Sequence, residues 1–290
     1  MTHGDYQIDA VEAGRLGLDG GAMFGVVPRP LWERRIPPDD RNRIPLAMRC
    51  LLLRGHGRTV LVDTGLGHKA DDKFREIYAV DHEHSTLEGS LRDLGVAPAD
   101  VTDVVLTHLH FDHAGGATER AEDGTLRPTF PNATVHVQRA HWEWAHESVR
   151  EQASFLAENL DPLEASGRLH LSDGEASPFP GVSYVVVDGH TRAQQLVLVE
   201  GGADENAAGG AAAPLLFAAD LLPTAAHVPL LWVMAYDVEP LQTLREKERV
   251  LERAAEGGWT VVFEHDPTTA AARIERTEKG FRAVDERPAL

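Results

Sequence analysis

Thr107-His108-Leu109-His110-Phe111-Asp112-His113-Ala114-Gly115-Gly116 places three imidazoles and a carboxylate directly behind the short apolar run Val104-Val105-Leu106. The run reads as a buried strand. Residues two apart on an extended chain face the same way, so His108 and His110 can grip one ion together. Ala-Gly-Gly then lets the backbone turn tightly, and such a turn can point Asp112 and His113 at a second ion nearby. Imidazole and carboxylate without thiolate suit Zn2+ first, with manganese, iron or cobalt as substitutes. The plain alternative is a histidine-rich surface turn.

One short segment cannot complete two coordination spheres, so other strand ends must contribute. His190 ends the β-branched run of Val185-Val186-Val187-Asp188-Gly189-His190, Asp220 ends Leu215-Leu216-Phe217-Ala218-Ala219-Asp220, and His265 ends Trp259-Thr260-Val261-Val262-Phe263-Glu264-His265. A polar group at the tip of a buried strand costs desolvation energy unless something pairs with it. A shared centre would pair all three.

The order His-x-His-x-Asp-His, Gly-His, Ala-Asp, His resembles the metallo-β-lactamase superfamily over nearly the whole chain. The resemblance is to its dinuclear branch, which includes N-acyl homoserine lactonases and methyl parathion hydrolase, and it extends to Val62-Asp63-Thr64-Gly65. It implies an α/β fold, a four-layer αββα sandwich, with ligands at one edge. It also implies a first ion held by His108, His110 and His190 and a second by Asp112, His113 and His265. Asp220 would bridge the two, and Asp63 would orient an imidazole through its free ring nitrogen. The implied chemistry is attack of a bridging hydroxide on a lactone or ester carbonyl, with Asp112 carrying the proton to the leaving oxygen. Lactonases of this branch carry a tyrosine just after the bridging aspartate, whereas here Leu221-Leu222-Pro223-Thr224 follows Asp220. His227 or Tyr236 is expected to take its place as a catalytic group.

Rival activities share much of this ligand set. The commonest two-zinc β-lactamases have cysteine where Asp220 stands, which argues against antibiotic hydrolysis. Glyoxalase II-like thioesterases add a C-terminal helical region, but only about twenty-five residues follow His265 here. Organophosphate hydrolysis competes closely, because the same nucleophile attacks phosphorus. A metal-binding module without catalysis is the reading from outside enzymology.

A formal net charge of −18, with no basic stripe, would repel phosphate backbones, so a small-molecule substrate is expected in place of nucleic acid. No apolar run approaches the roughly 20 residues that span a bilayer, and no secretory signal pattern opens the chain, so no membrane association and a cytoplasmic location are expected. Cys50, the only cysteine, lies in the apolar run Cys50-Leu51-Leu52-Leu53 and reads as a buried structural thiol.

Residues 1–290 read as one domain, with 1–45 as an N-terminal extension contributing to a homodimer or to the pocket. Within it, Leu18 to Pro28 and Pro30-Leu31-Trp32 carry Met23, Phe24 and Trp32 on a Gly-rich backbone suited to a flap or partner surface. Trp232, Met234 and Tyr236 follow Asp220 closely enough to line a pocket. Strand-like runs are expected around 48–62 and 103–107 in one group, then 134–137, 183–187, 195–199, 215–219 and 259–263 in another. Helices are expected at Ser85 to Leu94, ending at Gly95, at Arg139 to Leu160 with a break, and at Leu241 to Ala255. Glu200 to Ala213, almost free of large apolar groups, is expected as a mobile hairpin tip.

Overall fold

The computed structural model describes residues 1–202 and 212–290. Two sheets stack face to face. The first takes β1 (Thr2–His3), β2 (Tyr6–Asp19), β3 (Arg43–Gly55), β4 (Arg58–Val62) and β5 (Asp103–Val105) in order. A separate ribbon, β6 (Thr118–Arg120) with β7 (Leu126–Pro128), follows, and the chain returns to the first sheet as β8 (Thr134–Gln138) and β9 (Leu169–Ser172). The second sheet is β10 (Val182–Val187), β11 (Gln194–Val199), β12 (Leu215–Phe217), β13 (Thr260–Val262), β14 (Ala271–Thr277) and β15 (Gly280–Arg287), again in chain order. The pairings β4–β5, β5–β8, β8–β9 and β12–β13 are parallel.

Side-chain alternation explains why β3, β4 and β5 read as unbroken apolar runs: both of their faces are covered. Leu51, Leu53, Val60, Val62 and Val105 point to the second sheet and share a core with Val185, Val187, Leu196 and Phe217. Their neighbours Cys50, Leu52, Leu61 and Val104 point outward, against Leu87 and Leu91 of one helix and Trp142 and Ala145 of another. Helix Pro240–Glu256 covers the second sheet through Val250, Leu251 and Ala254. The result is a four-layer αββα sandwich. Cys50 is fully buried, and burial pushes its thiol well above the usual range.

Side chains cap three of the shorter helices, Asp19 before Gly20–Phe24, Asp71 before Asp72–Ile77 and Thr86 before Leu87–Asp93. Thr86 accepts the Gly89 N–H at 3.0 Å to open Leu87–Asp93, and Gly95 follows the helix in the left-handed region. The expected break after Arg139 separates helix Arg139–Glu147 from helix Ala157–Ala165.

Three features differ from the sequence reading. The run at 134–138 pairs in parallel with β5 and belongs to the first sheet, not the second. Residues 2–19 are strands of the first sheet, β2 pairing with β3 along nearly its whole length. The C-terminal residues form the β14–β15 hairpin, which extends the second sheet. The expected tip at Glu200 to Ala213 lies largely outside the described residues; its flanks close with Ala212 N–H donating to Gly202 O at 2.8 Å. No helix among the described residues is long and apolar enough to cross a membrane.

Candidate metal centre

The ligand candidates sit where strands of both sheets end at one edge. The chain leaves β5 and reaches His108 three residues later; His110 then caps the short helix Phe111–Ala114, which carries Asp112 and His113. That helix makes the sharp turn expected of Ala-Gly-Gly. The glycines serve a different purpose, since a Cβ at Gly116 would lie 2.2 Å from Thr64 O and one at Gly115 2.2 Å from Leu66 O. Absence of side chains lets the Thr64-Gly65-Leu66 backbone approach, and Thr64 N–H donates to His113 O at 2.8 Å. His190, Asp220 and His265 arrive from just beyond β10, β12 and β13. Ala219, next to Asp220, and Asp63 both hold left-handed φ values, 41° and 57°, which are costly for non-glycine residues and must be held by their surroundings.

All seven candidate ligands converge. His108 Nε2 lies 3.0 Å from His110 Nδ1, which lies 3.2 Å from His190 Nε2. His113 Nε2 and His265 Nε2 are 3.2 Å apart, with Asp112 oxygens 3.9 and 3.8 Å from them. Asp220 spans the two groups. Its Oδ2 is 3.2 Å from His190 Nε2 and 3.6 Å from His113 Nε2, while Oδ1 is 3.1 Å from His265 Nε2. Ligand atoms around one tetrahedral zinc, at about 2.1 Å, stand about 3.4 Å from one another, so this spacing suits two ions better than it suits an imidazole cluster bonded to itself. Asp220 Oδ1 makes no hydrogen bond despite its burial, as a carboxylate oxygen aimed at a cation would. The donor set, imidazole and carboxylate without sulfur, fits divalent zinc, manganese, iron or cobalt.

Each imidazole is oriented from its other ring nitrogen. His113 Nδ1–H faces Asp63 Oδ2 at 3.1 Å, and Asp63 also accepts from Thr107 N–H and Thr107 Oγ1–H at 2.7 and 2.6 Å. Thr107 Oγ1 in turn lies 3.0 Å from His108 Nδ1. His110 Nε2–H donates to Glu151 Oε1 at 2.9 Å, His190 Nδ1–H to Asp237 Oδ1 at 3.0 Å, and His265 Nδ1–H to Ala47 O at 2.8 Å. This arrangement fixes each tautomer so that an unprotonated nitrogen faces the centre. Of these supports the sequence pointed only to Asp63. Glu151, Asp237 and Thr107 carry no local motif, although Thr107 stood in the opening stretch.

Electrostatics follow from burial and neighbouring charge. Burial, reinforced by the surrounding imidazoles, drives His108 well below its usual range. Burial would do the same to His265, but Asp220 and Glu264 lift it to about 9, and Asp220 itself is held well below the carboxylate range by His265, His113 and His190 against its burial. Without ions His265 therefore holds a proton that metal uptake must displace, whereas His108 and His110 hold none.

At the candidate ligands opens a cleft of about 210 Å³, lined by Leu18, Met23, Tyr78, Phe111, Met234 and Tyr236 together with Arg150 and Ser154. Asp112 and Asp220 form part of its floor. Tyr236 is 39% exposed, and burial raises its phenol to about 12, so it is a hydrogen-bond donor at neutral pH. Tyr78, not singled out from the sequence, brings a second phenol. His227, expected as an alternative catalytic group, does not reach the cleft. Its ring stacks on Phe24 with centroids 4.6 Å apart, Nε2–H donates to Met23 O at 2.8 Å, and Nδ1 accepts from Thr224 Oγ1 at 2.8 Å. Both nitrogens are thus used in packing, and burial lowers the ring pKa to about 3. Phe24 and Trp32 are core residues, and Trp232 packs edge-on against Phe24.

Comparison with known proteins bears on this geometry. The family model of the metallo-beta-lactamase superfamily matches residues 45–265. An N-acyl homoserine lactonase of a Bacillus species is 28% identical over 199 residues, covering 66% of this chain and 68% of the lactonase. The crystal structure of a probable metal-dependent hydrolase from Staphylococcus aureus superposes with a TM-score of 0.87 at 30% identity, covering 100% of both chains. A dizinc quorum-quenching lactonase solved with a product, N-hexanoyl-L-homoserine, has a TM-score of 0.79 over 99% of this chain and 96% of its own, and at 17% identity shows likeness of fold.

Proposed function

The chain belongs to the metallo-beta-lactamase superfamily, and from that premise we propose that it is a metal-dependent hydrolase of lactones or esters, acting in the manner of an acyl-homoserine lactonase. The observation that carries the reading is Asp220, whose two oxygens face the imidazoles of two separate groups. His108, His110 and His190 would hold one divalent ion, Asp112, His113 and His265 the other, with Asp220 between them. Two such ions, when bound, supply a Lewis acid and water ionised near neutral pH.

The remaining steps belong to the side chains. The apolar wall around Phe111 and Met234 receives the acyl part and excludes water from the scissile carbonyl. Tyr236, protonated at working pH, donates to the oxygen on which charge develops. Asp112, on the floor beside that carbonyl, takes the nucleophile's proton and passes it to the leaving alkoxide. A homodimer belongs to the same reading, supported by Val26, 91% exposed, and Leu231, 70% exposed, near the Phe24–Trp32–Trp232 cluster.

The test is turnover by zinc-loaded protein on acyl-homoserine lactones, aryl esters, paraoxon-type triesters and glutathione thioesters. Lactones or esters should dominate. Exclusive turnover of thioesters or triesters would overturn the substrate assignment, and about two bound metals per chain with no turnover at all would favour a binding module.

A further inference from the structure

Residues 222–239 pass along one side of the cleft without strand or α-helix, broken only by the 3-10 turn Ala225–His227. Stretches of this kind leave backbone carbonyls that need partners. Here the partner is a charge. Lys247, on helix Pro240–Glu256, is 1% exposed, and its Nζ donates to His227 O at 2.8 Å, Pro229 O at 3.1 Å and Trp232 O at 2.7 Å. An ammonium has three N–H donors, and all three are used on main chain. Among the described residues no salt bridge to it forms, and Asp237 is the carboxylate whose charge acts on it from beyond contact.

The carbonyls it gathers lead straight into the cleft wall. Met234, Ala235 and Tyr236 line the cleft, and Asp237 orients His190. The far end of the wall is tied independently, by Arg150 Nη2 donating to Ala235 O at 2.8 Å and by Ala235 N–H donating to Ala22 O at 2.8 Å. The neighbouring side chain on the same helix, Glu246, accepts the N–H groups of Asp188 and Gly189, each at 2.9 Å, and so anchors the loop that carries His190. A single helix thus fixes two walls of the site through adjacent residues of opposite charge.

We propose that Lys247 is a positioning residue for substrate: by holding the carbonyls of His227, Pro229 and Trp232 it sets the Met234–Tyr236 wall over the metal centre and so governs which acyl groups the cleft accepts. The proposal rests on the hydrolase reading above. Buried deeply enough that its pKa falls to about 7, the side chain is expensive to keep charged, as expected of a group retained for geometry. An apolar residue of similar length would fill the space and leave three carbonyls without donors.

The experiment compares wild type, Lys247→Met and Lys247→Arg, loaded with zinc, on a short aryl ester and a long-chain acyl ester or lactone. For Lys247→Met, KM for the long substrate should rise about tenfold, and kcat should fall by one smaller factor common to both substrates, because Tyr236 moves with the wall while the candidate metal ligands do not. Metal content should be unchanged, and hydrogen exchange across residues 227–238 should speed up. Lys247→Arg should restore part of the KM. Unchanged KM and exchange in a folded Lys247→Met protein would overturn the proposal, as would equal loss on both substrates together with loss of metal. Should Lys247→Met fail to fold, the KM split is read in Lys247→Arg, whose donors are displaced, and wild-type KM and exchange there would overturn it. Wild-type protein with no turnover would remove the hydrolase reading, while exchange over 227–238 would still decide whether Lys247 holds the wall.

Discussion

Replacing Glu151 by glutamine tests whether the outer hydrogen bonds set metal affinity. Glu151 Oε1 accepts from His110 Nε2–H at 2.9 Å, and Oε2 receives Ser148 Oγ–H at 3.1 Å and the Trp144 indole N–H. Although burial works the other way, the His110 hydrogen bond holds this carboxyl at about 2, so it is an acceptor at every working pH. Glutamine offers one oxygen and one NH2. With its oxygen toward His110, the NH2 meets the Trp144 N–H; turned over, it meets His110 Nε2–H and favours the tautomer whose proton sits on Nδ1. That nitrogen faces His108 and His190 across the first ion position. Loss of such a partner costs tenfold to hundredfold in metal affinity, about 1.4 to 2.7 kcal/mol. Competition for zinc against a chromophoric chelator should find one site weakened by this amount and the site at His113 and His265 affected less. A folded Glu151→Gln protein with wild-type affinity at both sites would refute the reasoning.

Asp220→Ala should lower metal content and abolish hydrolysis together, because the carboxylate whose oxygens face both groups disappears; unchanged metal stoichiometry by elemental analysis would count against bridging. His227 supplies a pH prediction. Burial puts its folded pKa at about 3, against 6.5 for an exposed ring, so between these values the unfolded chain binds more protons. Its contribution is intact above about pH 6.5 and is lost as pH falls toward 3, by up to a few kcal/mol. In thermal melts His227→Gln should show a shallower fall in Tm from pH 6.5 to 4 than wild type, and parallel curves would contradict a neutral buried ring.

The strands that carry ligands were legible because both of their faces are buried: β5, β10, β12 and β13 each read as an apolar run ending in a polar group. β2 was not, since a bulge between Glu12 and Arg15 interrupts its alternation and several of its side chains are half-exposed. The hairpin β14–β15 mixes Arg and Glu on its solvent face and gives little apolar signal. For the site, the seven candidate ligands lie together in the order the motifs implied, whereas Glu151 and Asp237 stand far in sequence from the imidazoles they orient. Only tertiary approach makes those partnerships, so no spacing could announce them. His227 shows the converse: the loop after Asp220 offered a histidine in the right place, and packing against Phe24 turned it away.

The two sheets contribute unequally in time. His108, His110, Asp112 and His113 follow β5 of the first sheet, while His190, Asp220 and His265 follow strands of the second. A first half emerging alone during synthesis would offer only His108, His110, Asp112 and His113 of the seven candidate ligands. On the proposed reading, tight loading would wait until the halves dock, and a metal pair would be a clasp across the seam. Stripping it should loosen the cooperativity between the sheets before it unravels either of them.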